Sequence, residues 1–167
     1  DIIKPEYCYS DDDIRAVLKN KLDETTNYIA PALPFESNDL VNDIVQEAVR
    51  QAQSVGTALI PINFGNAHWA SLTIKRTSTG NIKAIYNDSI GNPISHRENS
   101  VLLEQILRNL NPAVEIIDLQ VHQQTDGSSC GAFTAESLIK IAEIDISNLS
   151  TDELRNLLAK INDATAI

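Results

Sequence analysis

The chain has 167 residues, with 13 lysines and arginines against 23 aspartates and glutamates, which gives a formal net charge of −10. This length suits a single domain, and 43% hydrophobic with 22% charged residues is typical of a globular protein. The acidic balance and the lack of a lysine- and arginine-rich run argue against a nucleic-acid-binding protein. No apolar stretch approaches the roughly 20 residues that a membrane-spanning helix needs.

The first 55 residues are predicted to form a helical N-terminal part of this domain. Ser10 precedes three aspartates, a pattern typical of a helix N-terminus. Pro31 and Pro34 interrupt the helical periodicity. A second amphipathic helix is expected from about Asn38, and Gly56 ends it.

Residues 56–145 are predicted to form the core, because the hydrophobic period changes to that of strands after Gly56. Strands are expected over residues 58–64, 69–74 and 82–87, and a polar turn at 77–81 indicates that the last two form a hairpin. Pro61 predicts an edge strand or an irregularity. A helix over residues 95–110, a strand over 114–121 and a helix from Cys130 follow.

The last segment, residues 146–167, is predicted to be a C-terminal helix. Ser150 and Glu153 have the spacing of a capping box at its start. The complete order of helices and strands predicts the α+β class.

Cys130 is the first candidate for chemistry, because it follows a glycine- and serine-containing loop and begins a predicted helix. A helix N-terminus stabilises the thiolate, which is the nucleophilic form. Taken alone, the same context equally suits a buried cysteine that packs as a small hydrophobic residue. Cys8 has no such context and is predicted to be structural. A disulfide between the two cysteines is an open alternative at this point, and no spacing resembles a zinc site.

A nucleophilic cysteine needs a base and a group that orients the base. His68 begins the second strand and Asp88 follows the third, so hairpin pairing would place the two side chains together. His96 and His122 are the competing histidines. An oxyanion donor is also needed, and Gln124 precedes Cys130 by six residues. Taken singly, His68 and Gln124 are more often ordinary polar residues than catalytic ones.

Taken together, these residues resemble the clan CE cysteine proteases, the superfamily of ubiquitin-like-protein-specific proteases, and especially its bacterial effector deubiquitinases. The family pattern is His-Trp, Asp (often followed by Ser), Gln, a glycine-containing loop and Cys-Gly, in that order. The matching segment spans about residues 59–138, and the ordered set is far more specific than any single element. The pattern is present here as His68-Trp69, Asp88-Ser89, Gln124, Gly127-Ser128 and Cys130-Gly131.

The resemblance implies a papain-like or adenain-like protease core, with a central mixed sheet flanked by helices. It implies that Cys130 is the nucleophile, His68 the general base and acid, Asp88 the orienting carboxylate and Gln124 the oxyanion donor. The substrate-binding residues that it implies are Trp69, Gly127, Ser129 and Gly131. Ser129 departs from eukaryotic members, which often carry an acidic residue there.

The activity implied is thiol-dependent cleavage after the C-terminal Gly-Gly of ubiquitin or a ubiquitin-like modifier, without a metal or organic cofactor. The acidic chain suits the basic face and tail of ubiquitin, so ubiquitin is preferred over SUMO and NEDD8. One alternative is an acetyltransferase of the same clan, although such enzymes usually carry Glu in place of Asp and depend on a polyanion that an acidic domain suits poorly. A second is a catalytically decayed ubiquitin-binding module, against which the complete set of catalytic residue types argues.

The source and setting are predicted from composition and from this resemblance. The chain lacks methionine, begins with Asp1 and uses isoleucine and asparagine often. We expect a domain excised from a larger bacterial effector, which acts on ubiquitin conjugates in the host cytoplasm.

Overall fold

A computed structural model describes residues 9–34, 38–64, 68–96, 98–123 and 130–165 of the chain. The helices are α1 (Asp11–Lys21), α2 (Asn38–Val55), α3 (Glu98–Leu110), α4 (Cys130–Glu143) and α5 (Thr151–Thr165). The strands are β1 (Asn27–Ile29), β2 (Leu33–Pro34), β3 (Thr57–Asn63), β4 (Trp69–Arg76), β5 (Ile82–Asp88) and β6 (Glu115–Asp118). Short 3₁₀ helices cover Ile94–His96 and Ile146–Asn148.

The strands form one mixed sheet in the order β1-β3-β4-β5-β6, and β2 also pairs with β3. The three long strands β3, β4 and β5 are antiparallel neighbours. The short strands β1, β2 and β6 pair in parallel with their neighbours. This mixed sheet and its flanking helices confirm the predicted α+β class.

Alternation along the strands assigns the two faces of the sheet to different helices. Even-numbered strand residues such as Leu72 and Ile74 belong to the apolar cluster that contains the buried residues of α2 and α3. Odd-numbered residues such as Leu59 and Ile85 belong to clusters formed with α1, α4 and α5. The domain therefore has three layers, with the sheet in the middle.

Two helix starts carry capping boxes, of which the sequence predicts the one at the last helix. The Ser10 hydroxyl accepts from the backbone N–H of Asp13, and the Asp13 carboxylate accepts from that of Ser10. The predicted capping box of the last helix is confirmed by the same reciprocal pair between Ser150 and Glu153. These contacts satisfy backbone donors that an α-helix leaves open in its first turn.

The structure departs from the predicted elements in its first part. The N-terminal part contains the strands β1 and β2 as well as helices, and both pair with β3. Pro61 lies between the stretches of β3 that pair with them, which is the irregularity expected there.

The helix predicted over residues 95–110 begins later than expected. It starts at Glu98, because the residues before it form a separate 3₁₀ turn, Ile94–His96.

Lys75 joins the far ends of β4 and α4. It is 8% exposed, and its Nζ donates to the carbonyls of Ile141 and Ala142 at 2.9 and 3.0 Å and also to that of Ile144. Burial lowers the pKa of Lys75, and the nearby Asp145 carboxylate opposes that shift. The ammonium group thus caps carbonyls that the end of α4 would leave without intrahelical partners.

We expect Lys75→Met to lower the free energy of unfolding by about 2–3 kcal/mol, because hydrogen bonds from a charged donor to the helix end are lost. Lys83→Met is the matched control. Its Nζ lies 3.5 Å from the mostly exposed Glu115 carboxylate, and such pairs contribute about 0–1 kcal/mol. Urea unfolding followed by circular dichroism measures both. Equal stability of the two variants would mean that desolvation of the Lys75 ammonium cancels its contacts.

Candidate active site

The β4–β5 hairpin brings His68 and Asp88 together. Ala70 in β4 pairs with Asp88 at the end of β5, and His68 lies two residues before Ala70. The His68 Nε2 and the Asp88 Oδ2 are 2.9 Å apart. The contact predicted from hairpin pairing is therefore present. It lies at the end of the sheet where β4 begins and β5 ends.

Asp88 is buried, with 1% of the residue exposed, and hydrogen bonds fix the position of its carboxylate. Its Oδ1 accepts from the backbone N–H of Ile90 at 3.0 Å, and the Asn92 amide lies 3.5 Å from Oδ2. The Asp88 carbonyl accepts from the N–H of Gly91 at 2.7 Å, in a turn where Gly91 has φ of +90°. This turn, which favours glycine, aims the carboxylate at the imidazole.

The imidazole of His68 is oriented from two sides. Its ring stacks on Phe64, with centroids 5.4 Å apart and an interplanar angle of 24°, and the His68 carbonyl accepts from the Phe64 N–H at 3.0 Å. Because Asp88 engages Nε2, the base role predicted for His68 would belong to Nδ1. Sequence reasoning missed Phe64, and its only signal is an aromatic residue four positions before the histidine.

The N-terminus of α4 lies beside the start of β4. Cys130 is the first residue of α4, which confirms the predicted helix start. A Cβ on Gly131 would lie 2.7 Å from the Tyr9 Cβ and 3.5 Å from the Trp69 Cδ1. The missing side chain therefore lets the first turn of α4 approach the residue that follows His68.

Trp69 has a clear structural role. It is 2% exposed and belongs to the apolar cluster that includes Leu59 of β3 and Leu138 of α4. The packing role that the sequence allows is thus present, and its predicted role in substrate binding remains a prediction.

Several predicted site residues lie outside the described part of the chain. They are Gln124, Gly127 and Ser129, together with the side chain of Cys130. Their roles remain predictions. Gly131 is described and is buried against Tyr9 and Trp69, and the substrate-binding role predicted for it stays a prediction.

The competing histidines are placed differently from His68. His96 and His122 are both exposed, and His122 forms an isolated bridge with Ile90. In the described ranges, His68 is the histidine whose ring lies within hydrogen-bond distance of the Asp88 carboxylate. The other hydrogen bonds to this carboxylate come from the Ile90 N–H and the Asn92 amide. The geometry therefore selects His68 as the partner of Asp88.

Neither a metal site nor a membrane-spanning helix is found in the described ranges. They contain no group of three or more His, Cys, Asp or Glu side chains arranged to hold a metal ion. None of the helices in the same ranges is both long and apolar enough to cross a membrane.

Comparison with known proteins decides the family. Residues 56–161 match the sequence profile of the RickCE-like catalytic domain, which is more than half of the chain. The chain belongs to the RickCE-like catalytic domain family. The matched region contains His68, Asp88 and Cys130, as well as most of the sheet.

Solved structures agree with this RickCE-like assignment at the level of the fold. The Rickettsia bellii effector protein RickCE is 20% identical and has a TM-score of 0.71, with 93% of this chain and 92% of that chain covered. The C-terminal Ulp1 protease domain, solved in complex with the yeast SUMO ortholog Smt3, is 16% identical with a TM-score of 0.62. That match covers 98% of this chain and 80% of the Ulp1 chain.

A viral protease has the same fold as this RickCE-like domain. The ASFV pS273R protease is 13% identical with a TM-score of 0.63, and the match covers 96% of this chain and 66% of that chain. The comparison with curated proteins returned no match. The predicted relationship to clan CE, with a bacterial effector among the similar structures, is confirmed.

Proposed function

We propose that this domain is a cysteine protease that cleaves after the C-terminal Gly-Gly of ubiquitin, a deubiquitinase. The observation that carries the proposal is the His68–Asp88 pair, 2.9 Å apart, at the same edge of the fold as the start of α4 at Cys130. A base, its orienting carboxylate and a cysteine at a helix N-terminus are the parts that thiol catalysis requires. Membership in an enzyme family of clan CE supports this assignment.

The proposed reaction begins when Nδ1 of His68 takes the proton of the Cys130 thiol. The thiolate attacks the carbonyl carbon of the terminal glycine, and the carbonyl π electrons move onto oxygen. Collapse of this intermediate breaks the C–N bond, and His68 gives its proton to the departing lysine amine. Water, deprotonated by His68, then attacks the thioester, which releases the glycine carboxylate and restores the thiol.

Gln124 supplies the oxyanion donor in this proposal, together with the backbone N–H of Cys130. Trp69 covers the narrow channel that admits the two glycines of the tail. In the same proposal Gly127, Ser129 and the backbone of Gly131 line this channel, and the absence of a side chain at Gly127 permits a close approach of the substrate backbone.

The proposed preference for ubiquitin rests on charge. The net charge of −10 complements a partner with a basic face and an arginine-containing tail. SUMO is the alternative modifier, since the structurally similar Ulp1 domain was solved with Smt3. NEDD8 is the third modifier that could serve as the substrate.

We propose that the protein acts as a host-directed bacterial effector. The similar RickCE is an effector protein of Rickettsia bellii. The substrates then are ubiquitin conjugates of the host cytoplasm.

Modifier probes test this function directly. We expect ubiquitin with a C-terminal propargyl group to form a vinyl thioether with Cys130, faster than the matching SUMO and NEDD8 probes by about tenfold or more. Intact-mass spectrometry measures each adduct, and peptide mapping locates it.

The same experiment includes the acetyltransferase alternative. Incubation with acetyl-CoA, with and without inositol hexakisphosphate, should leave Cys130 without an acetyl group. Acetylation of Cys130 together with failure of all three modifier probes would replace the protease assignment by the acetyltransferase one. Faster reaction with the SUMO probe would keep the protease and change its substrate.

A further inference from the structure

Gln123, which directly precedes the proposed oxyanion donor Gln124, is the centre of a buried hydrogen-bond network. The side chain is 1% exposed, and its Nε2 donates to the carbonyl of Leu158 in α5 at 2.9 Å. Its Oε1 accepts from the Asn87 amide at 3.1 Å and from the Ser137 hydroxyl at 3.2 Å. One amide group thus links three elements of the fold.

The contact to Asn87 ties this network to the strand that ends in Asp88. The Asn87 Oδ1 accepts from the N–H of Val121 at 2.8 Å, and its amide, 3.4 Å from the Val121 carbonyl, completes the pair. The N–H of Gln123 donates to the carbonyl of Ser89 at 2.7 Å. Residues 121–123 are therefore fastened to both neighbours of Asp88.

The contact to Ser137 ties the network to the nucleophile helix. Ser137 is 1% exposed and lies in α4, seven positions after Cys130 and about two helical turns along it. Because an α-helix is stiff, a fixed position for Ser137 constrains where the helix begins.

We propose that Gln123 is a positioning residue that holds the segment leading to Gln124, the strand carrying Asp88 and the helix begun by Cys130 in one arrangement. The proposal rests on the proposed function, since it assigns Gln123 no chemical step and acts through those three residues. Its value to catalysis comes from geometry, because a displacement of about 1 Å can reduce a rate by about 100-fold.

Physical chemistry explains why an amide is needed at this place. An apolar side chain of similar volume would fill the space but would remove one buried hydrogen bond each from the Asn87 amide, the Ser137 hydroxyl and the Leu158 carbonyl. Buried polar groups without partners are costly, so the three elements would shift to satisfy them. The shift would be felt at the site, because Gln124 and Asp88 are each one residue from the network.

The test compares Gln123→Met and Ser137→Ala in a Cys8→Ser background, which leaves Cys130 as the single thiol of the chain. We expect Gln123→Met to lower kcat on a fluorogenic ubiquitin substrate by about 10- to 100-fold, with KM within about twofold. Ser137→Ala removes one hydrogen bond and should lower kcat by about threefold or more.

Lys75→Met is the matched control, because it destabilises the opposite end of α4 without touching the network. It should keep kcat at temperatures where all variants are folded. Equal kcat for Gln123→Met and Lys75→Met would overturn the proposal, because stability alone would then explain both. If Gln123→Met does not fold, an unchanged kcat for Ser137→Ala overturns it.

A second assay measures the role of Gln123 even if the domain is not a deubiquitinase. If the wild-type domain hydrolyses no modifier substrate, the rate of Cys130 alkylation by iodoacetamide at pH 6 still reports how Cys130 and His68 are placed. Slower alkylation in Gln123→Met than in Lys75→Met supports the positioning role. Equal rates overturn it.

Discussion

Alanine in place of Cys130 is expected to abolish hydrolysis of a fluorogenic ubiquitin substrate, with a fall in kcat of more than about 10⁴-fold. The thiol forms the covalent intermediate in the proposed mechanism, and the other groups of the site cannot replace it. Since Cys130 is the first residue of α4 and alanine is a strong helix former, the domain should stay folded. Initial rates and urea unfolding are measured on the same preparation.

Cys8→Ser is the control for this variant, because Cys8 is the other cysteine of the chain. It should keep both the wild-type rate and the adduct with the ubiquitin probe. Cleavage that survives Cys130→Ala, or that disappears with Cys8→Ser, would contradict the assignment of the nucleophile.

The second large effect is expected for Asp88→Asn, with a loss of kcat on the order of 10³–10⁴-fold. The Asp88 Oδ2 lies 2.9 Å from the His68 Nε2, and in the proposed mechanism it accepts the Nε2 proton, which leaves Nδ1 to act as the base. An asparagine that turns its amide N–H₂ towards Nε2 would favour the opposite tautomer. Its carbonyl oxygen can still accept from the N–H of Ile90, as Oδ1 of Asp88 does, so the turn should persist.

Asp11→Asn is the matched control for Asp88→Asn. It removes one carboxylate charge near the same end of the sheet, where β3 ends at Asn63. There the Asp11 carboxylate accepts from the Asn63 amide in an exposed contact of 3.0 Å. Its kcat should stay within about twofold of wild type, since exposed contacts of this kind contribute little. A comparable loss in both variants would show that overall charge, and not the orientation of His68, sets the rate.

The strands β3, β4, β5 and β6 were predictable from sequence, although β6 is shorter than predicted, whereas β1 and β2 were not. The hairpin of β4 and β5 is local, with a polar turn between two alternating runs, and its strand pairing is sufficient to predict that His68 lies next to Asp88. By contrast, β1 has three residues and β2 has two, and their parallel partners in β3 lie about 30 positions away. Pairing of this kind leaves no local signal.

The candidate site divides in the same way between local pattern and tertiary contact. His68, Asp88 and Cys130 were identified because the order and the spacing of the motif survive in the sequence. The stacking of Phe64 on His68 and the burial of Gln123 depend on packing, and a glutamine beside another glutamine gives no indication of which amide is buried. Sequence therefore predicted the residues to which the proposed mechanism gives the chemistry better than the residues that hold them in place.

The helix α4 belongs to two of the apolar clusters at once. Phe133 and Ile141 pack in the cluster shared with α5, while Leu138 and Ile139 pack in the cluster shared with α1. The helix cannot leave the sheet without exposing both clusters to water, so its amide protons should exchange with solvent only through large-scale opening. The position of α4 as a whole, and with it the helix start at Cys130, therefore depends on the cooperative stability of the domain.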